Sequence, residues 1–261
     1  MVYQGSKSRI KKYILPIIQN CIYKNNVDTY IEPFVGGGNL IIDVDCRNRI
    51  GSDIDEDLIC LLKYMKENPD LKIFPNQCSK EHFYDVKQNK ITGKYSKEYV
   101  SGIGHFASFG GGYFDLGYAQ DPSGKRNIYF ERLTNARKQA SYFKNISFNC
   151  CDYKTYLLAN FKDCVFYLDP PYRNTTGYVG GKIDYDEFYD FVKKIGKNNF
   201  VFISEYNMPD EFQCVWKYKI KCSKNSSRTT SLYRTEKLFY FGKENNIEIL
   251  QENKLFDWEI L

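Results

Sequence analysis

The sequence predicts an α/β fold: a mostly parallel, Rossmann-like sheet that ends in a C-terminal antiparallel hairpin and carries an inserted, mainly helical lobe. Three observations predict it. Short apolar runs of strand length alternate with helical patterns toward both ends of the chain, as βαβ units require. Several of those runs lead straight into an acid: Asp53, Asp152 and Asp169. The alternation also lapses in the middle, where polar and glycine-rich sequence replaces it. Residues 1–67 and 146–261 are therefore expected to form one domain, and residues 68–145 an inserted lobe.

A chain of 261 residues suits one large α/β domain carrying an insertion. Hydrophobic residues make up 43% and charged residues 26%, which allows a sizeable core and argues against global disorder.

Taken in order, residues 10–24 place Ile10, Ile14, Ile17, Ile18 and Cys21 at helical spacing. Thr29 to Phe34 reads as a short buried strand stopped by Gly36, Gly37 and Gly38. Asn39-Leu40-Ile41-Ile42 reads as the start of a helix, and Arg49 to Asp53 as a second strand. Asp57 to Lys66 follows as a helix with Leu58, Leu61, Leu62 and Met65 on one face.

The middle holds two glycine-rich pieces, Gly102 to Phe114 and the loop Gln120 to Asn127. A helix over about 128–143 closes it. Ile146 to Cys150 and Cys164 to Leu168 then read as strands, Tyr185 to Ile195 as a helix, and Phe200 to Ser204 as a strand. Residues 214–222 and 236–242 alternate in β fashion about the polar loop Ser223 to Arg234.

The net charge of +5 permits a basic groove without demanding one. Aromatic residues reach 17%, with 23 Tyr. Such an excess suits stacking surfaces, and codon bias in an AT-rich genome accounts for most of it. The 9 Cys form no CxxC pair and have no His at metal-ligand spacing, so they read as reduced, mostly buried small residues, and no metal site is expected. The N-terminus is basic and then apolar. Pro16 and Gln19 break its apolar run, which excludes a signal peptide. No run is long enough for a membrane span.

The sharpest motif is Asp169-Pro170-Pro171-Tyr172, directly after a strand. Ligands of open α/β sheets bind beyond the carboxyl ends of the strands. A residue before proline is pushed to extended geometry, and proline has no N–H to donate. The Asp169 carboxylate and Pro170 carbonyl are thus fixed acceptors for an amino group conjugated to a ring, and Tyr172 offers a flat face. A plain proline turn is the alternative.

This tetrapeptide resembles the catalytic motif of amino-group DNA methyltransferases. Nearly the whole chain resembles the DNA adenine methylase (Dam-like) family, on four further segments in the family's order. Tyr3-Gln4-Gly5-Ser6-Lys7 is similar to the stretch that wraps the cofactor, with Ser6 where a second glycine is usual. The resemblance implies that Lys7 meets the methionine carboxylate and that Tyr3 lies beside the cofactor. Glu32-Pro33-Phe34-Val35-Gly36-Gly37-Gly38-Asn39 resembles the cofactor loop. Asp53, followed by Ile54, stands where a ribose-binding acid belongs. Asp55 competes for that role, and a helix cap is the alternative for both. The resemblance assigns Asp152 to the cofactor's adenine amino group with Tyr153 packed nearby, and a helix cap competes there too.

The resemblance further implies S-adenosyl-L-methionine as methyl donor, no metal, double-stranded DNA as substrate, and an inserted lobe that reads it. Arg9, Lys125, Arg126 and Arg228 are candidate DNA contacts. Tyr113 with Phe114 could wedge into a duplex or form a buried pair. The expected reaction is methylation of N6 of a flipped adenine. Methylation of cytosine N4 or another amino group, DNA binding without catalysis, and a nicotinamide oxidoreductase are the rivals. A cytoplasmic monomer, bacterial or phage-encoded and potentially paired with a restriction endonuclease, completes the expectation.

Overall fold

Among the described residues, seven strands form one mixed sheet in the order β3-β2-β1-β4-β5-β7-β6. They are β1 (Thr29–Glu32), β2 (Asn48–Asp53), β3 (Ile146–Cys150), β4 (Val165–Leu168), β5 (Phe200–Glu205), β6 (Gln213–Lys221) and β7 (Tyr233–Gly242). The computed structural model describes residues 1–3, 5–172, 183–221 and 233–243. β1 and β4 run parallel with Tyr30 opposite Val165, and β4 and β5 run parallel with Val165 opposite Phe200. β7 turns the order back: it is antiparallel to β5, with Ser204 opposite Leu238, and antiparallel to β6. Every residue of β4 and β5 is buried. That is why both read as unbroken apolar runs rather than alternating ones.

The chain divides into two compact units. The first holds Met1–Arg9, Val35–Asp43 and Ile50–Cys151. It contains α2 (Glu56–Glu67), α3 (Lys80–Gln88), α4 (Lys97–Ala107), α5 (Ile128–Ala140) and β3. Its core gathers Leu58, Leu61, Leu62, Phe83, Ile103, Phe106, Leu133 and Ile146. The second holds Ile10–Phe34, Val44–Arg49 and the described residues from Asp152 onward. Here α1 (Lys11–Lys24) buries Ile14 and Ile18, and α6 (Tyr185–Gly196) buries Phe188 and Val192. The predicted insertion, residues 68–145, shares its unit with residues 50–67 and 146–151.

Three local readings change. The helix expected from Asn39 is a series of turns, with the Asp43 amide bonded to the Leu40 carbonyl at 3.0 Å. Leu40, Ile41 and Val44 are buried and mimic helical spacing, but the short stretch from Gly38 to Asn48 must also return the chain to the start of β2. Second, β1 stops at Glu32 rather than Phe34, because Pro33 has no N–H to continue a ladder. Third, Gly102 and Gly104 lie inside α4. A Cβ on Gly102 would sit 2.2 Å from ring carbons of Phe74, and one on Gly104 would sit 2.6 Å from the Tyr113 ring. Close packing there outweighs the poor helix propensity of glycine, about 1 kcal/mol per residue against alanine.

Among the described cysteines, Cys21, Cys78 and Cys164 are buried while Cys150 and Cys214 are exposed, so the expectation of a mostly buried set does not hold. No helix among the described residues is long and apolar enough to cross a membrane.

Candidate active site

In the first unit the chain leaves Val35 through a glycine turn whose backbone is held at each step. The Val35 amide donates to the Ser52 carbonyl at 2.8 Å, and the Gly38 amide to the Val35 carbonyl at 2.9 Å. Gly36 and Gly38 have φ of +48° and +66°, in the left-handed region that favours glycine. A Cβ on Gly36 would also lie 2.9 Å from the Tyr3 ring. The Gly36 amide donates to Asp53 Oδ2 at 3.1 Å, and Asp53 Oδ1 accepts the Asp55 amide at 3.1 Å. Burial pushes the Asp53 carboxyl up to about 6. Asp55, its competitor, spends its carboxylate capping α2 through the Leu58 amide at 3.1 Å.

Other predicted residues gather on the same turn. Asn39 Nδ2 donates to Ser6 Oγ at 3.1 Å, and the Tyr3 ring lies 5.9 Å from that of His105. Burial pushes the His105 imidazole down to about 4. Lys7 Nζ donates to the Gly5 carbonyl at 3.2 Å, and Ile54 is exposed. Sequence reasoning missed Gln139, which donates to the carbonyls of Gly37 at 2.8 Å and Gly38 at 3.2 Å. Its signal was available: a glutamine on the same face of α5 as Leu133, Ala136 and Ala140.

In the second unit β4 runs buried to Leu168 and delivers Asp169 half-buried, with its Oδ1 shielded from solvent. Pro170 and Tyr172 are buried. The Tyr185 hydroxyl lies 2.8 Å from the Pro171 carbonyl and 2.6 Å from Glu205 Oε2. The Tyr172 hydroxyl donates to Glu236 Oε2 at 2.9 Å, and Arg234 Nε pairs with Glu236 Oε1 at 2.9 Å. Tyr206 packs edge-on against Tyr172, with ring centroids 4.4 Å apart. The Asp-Pro-Pro-Tyr platform is thus held on both sides by buried carboxyl groups. Glu236 was also missed; its place among the buried alternate positions Leu238 and Tyr240 of β7 marked it.

Glu32 is 2% exposed and accepts the Tyr30 hydroxyl at 2.6 Å. Burial pushes its carboxyl up to about 8, with the charge of Asp169 adding to the rise. Phe34 and Tyr153 meet with centroids 5.2 Å apart. Asp152 accepts the Lys154 amide at 2.8 Å and caps the short 3-10 turn Tyr153–Leu157, the competing role foreseen for it.

Of the two readings open for Tyr113 and Phe114, the structure shows the packed pair. Phe114 is 2% exposed, and the Tyr113 ring lies beside His105 and Phe114 with its hydroxyl on Asp57. Apolar packing under α4 has claimed both rings. Lys125 and Arg126 lie in an exposed loop whose backbone amides are held by Asp121 Oδ2, and Arg126 pairs with Glu131 at 2.5 Å. Arg9 is exposed. Arg228 lies outside the described residues.

The Asp169-Pro170-Pro171-Tyr172 segment thus stands at the carboxyl end of β4, a strand parallel to both its neighbours. The sequence model of the D12 class N6 adenine-specific DNA methyltransferases matches residues 3–240, and the chain belongs to that family. It is 27% identical to a DNA adenine methylase of Haemophilus influenzae over 80% of this chain and 79% of that one. It is 24% identical to the type II methyltransferase M.MjaIII of Methanocaldococcus jannaschii, over 70% and 73%. It is 22% identical to the modification methylase StsI of Streptococcus sanguinis, over 71% of this chain and 30% of that protein. The enzyme is an adenine-specific DNA methyltransferase.

Proposed function

We propose that the enzyme takes its methyl group from S-adenosyl-L-methionine and places it on an adenine turned out of duplex DNA, with Asp169 as the central acceptor. The observation that carries this reading is the Asp169-Pro170-Pro171-Tyr172 platform, fixed by Tyr185 at the Pro171 carbonyl and by Glu236 at the Tyr172 hydroxyl.

The residues of the first unit fit a nucleoside-type donor. The glycine turn lets the Tyr3 ring lie directly on its backbone, and leaves no Cβ of its own at Gly36, Gly37 or Gly38. Backbone amides fix both oxygens of Asp53, and the two oxygens of a carboxylate can pair with two ribose hydroxyls. S-adenosyl-L-methionine, when bound, supplies a sulfonium methyl and leaves as a neutral thioether. Tyr3, Gly5, Ser6, Lys7, Gly36, Gly37, Gly38, Asn39, Asp53 and Ile54 of the first unit would hold it.

Adenine N6 inside a helix is out of reach, so the base must leave the stack. Asp169 and the Pro170 carbonyl accept the two N6 hydrogens, which localises the nitrogen lone pair. Tyr172 orients the ring. The new N–C bond forms as the methyl–sulfur bond breaks, and Asp169 takes the proton that N6 releases. Positioning and electrostatics supply the rate, with no covalent enzyme intermediate.

The DNA contacts proposed are Arg9, Lys125, Arg126 and Arg228, and a partner endonuclease of the same specificity is suggested by the type II relatives. We propose a cytoplasmic monomer of bacterial or phage origin. Nucleoside analysis of plasmid DNA from a methylation-deficient host expressing the enzyme tests the product: N6-methyladenine is expected, and N4-methylcytosine alone would replace the substrate.

A further inference from the structure

An open groove of about 750 Å³ lies on the terminal hairpin. Tyr206, Lys217, Tyr218, Lys219, Arg234 and Lys237 line it, and no carboxylate does among the described residues. The β6–β7 register sets Lys217 directly opposite Lys237. Like charges in that position destabilise a sheet, and an anion between them reverses the sign. Lys237 Nζ donates to Asn207 Oδ1 at 2.9 Å. Its neighbour on the other side is Glu205, which is buried, with its oxygens at the Tyr185 hydroxyl and the Tyr206 amide. Lys219 lies over the Tyr233 ring at 5.2 Å, and Lys217 and Lys219 are both exposed.

The groove adjoins the strand-end platform through two of its lining residues. Tyr206 carries the edge-on contact to Tyr172, and Arg234 holds Glu236, which holds the Tyr172 hydroxyl. Cations interleaved with aromatic rings suit a nucleic-acid backbone whose bases have left the stack.

We propose that this groove seats the phosphodiester backbone beside the extruded adenine, with Lys217, Lys219 and Lys237 as the phosphate contacts. The inference rests on the DNA-methylation reading and adds a second anchoring surface, apart from the insertion. Seating the flanking phosphates next to Tyr206 fixes the swing of the flipped nucleotide toward Tyr172.

The test is the double variant Lys217→Gln/Lys219→Gln, measured against Lys194→Gln/Lys197→Gln, which removes two exposed lysines of the same unit outside the groove. Binding of a short fluorescent duplex is followed across salt concentrations, with methyl transfer to the same duplex run in parallel. The groove variant should lower the slope of log affinity against log salt by about 0.9 for each phosphate it no longer neutralises. It should raise the KM for DNA roughly tenfold, while kcat at saturating DNA and the affinity for S-adenosyl-L-methionine hold. The control pair should leave slope and KM near wild type. An unchanged slope and KM in the groove variant, or equal changes in both variants, overturns the groove while wild-type turnover stands. Absence of wild-type turnover on any DNA overturns the parent reading and the groove with it.

Discussion

The amide of Gly36 donates to the carboxylate of Asp53 at 3.1 Å, so the turn leaving β1 and the acid ending β2 hold each other in place. The bond fixes the Asp53 carboxylate beside backbone that only glycine can present. Burial pushes that carboxyl up to about 6 against the opposing pull of the backbone amides that serve it.

Asp53→Ala should weaken S-adenosyl-L-methionine binding by about ten- to a hundredfold, since a hydrogen bond to a charged group contributes roughly 1.5–3 kcal/mol. Isothermal titration reads this directly. Wild-type affinity in the variant would move the ribose contact to another residue.

Gly36→Ala should lower both stability and donor affinity. The residue must hold φ near +48°, and its new Cβ would meet the Tyr3 ring at 2.9 Å. Left-handed backbone at a non-glycine residue costs about 1–3 kcal/mol. Thermal unfolding without ligand measures the first loss. An unshifted Tm would show that the turn tolerates a side chain.

The paired strands and the Asp169 motif were legible because their causes are local. Apolar runs make buried strands, Pro33 and the glycines end one of them, and prolines stiffen the platform. What stayed hidden depended on packing. Nothing near Gly102 announces that Phe74 will lie against it. The run from Leu40 to Val44 has helical spacing, and only the short return to β2 rules the helix out. Gln139 and Glu236 act on residues about a hundred and sixty-four positions away, respectively, which no local pattern reports. The choice between a wedge and a buried pair for Tyr113 and Phe114 was hidden for the same reason, because it rests on packing against His105 and within the pair.

Glu32 predicts a specific pH dependence. Its folded carboxyl is raised to about 8, above the ordinary carboxylate value, so the native state keeps a proton that the unfolded chain gives up. Stability from this group is therefore full at acid pH and is lost as pH rises from about 4.5 to about 8. Glu32→Gln keeps the acceptor for Tyr30 and should remove that loss, on the order of 2–4 kcal/mol across the window. Denaturant midpoints from pH 5 to pH 8.5 check it. Parallel curves for the two proteins would rule Glu32 out as the source.

Tyr172→Phe keeps the ring and removes its anchor on Glu236. Because a small misplacement at a reacting centre is expensive, kcat should fall by about tenfold, with donor affinity unchanged. Tyr172→Ala, which also loses the ring, should fall further. If Tyr172→Phe turns over at the wild-type rate, the hydroxyl anchor is structural only.

The most direct measurement is transfer of labelled methyl from S-adenosyl-L-methionine to unmethylated genomic DNA, with the digested bases resolved, for wild type and Asp169→Ala. The account predicts label in N6-methyladenine with wild type, and none with the variant although it still binds the donor. Label in adenine at a near-normal rate with Asp169→Ala would contradict the role given to Asp169 and to the platform built around it.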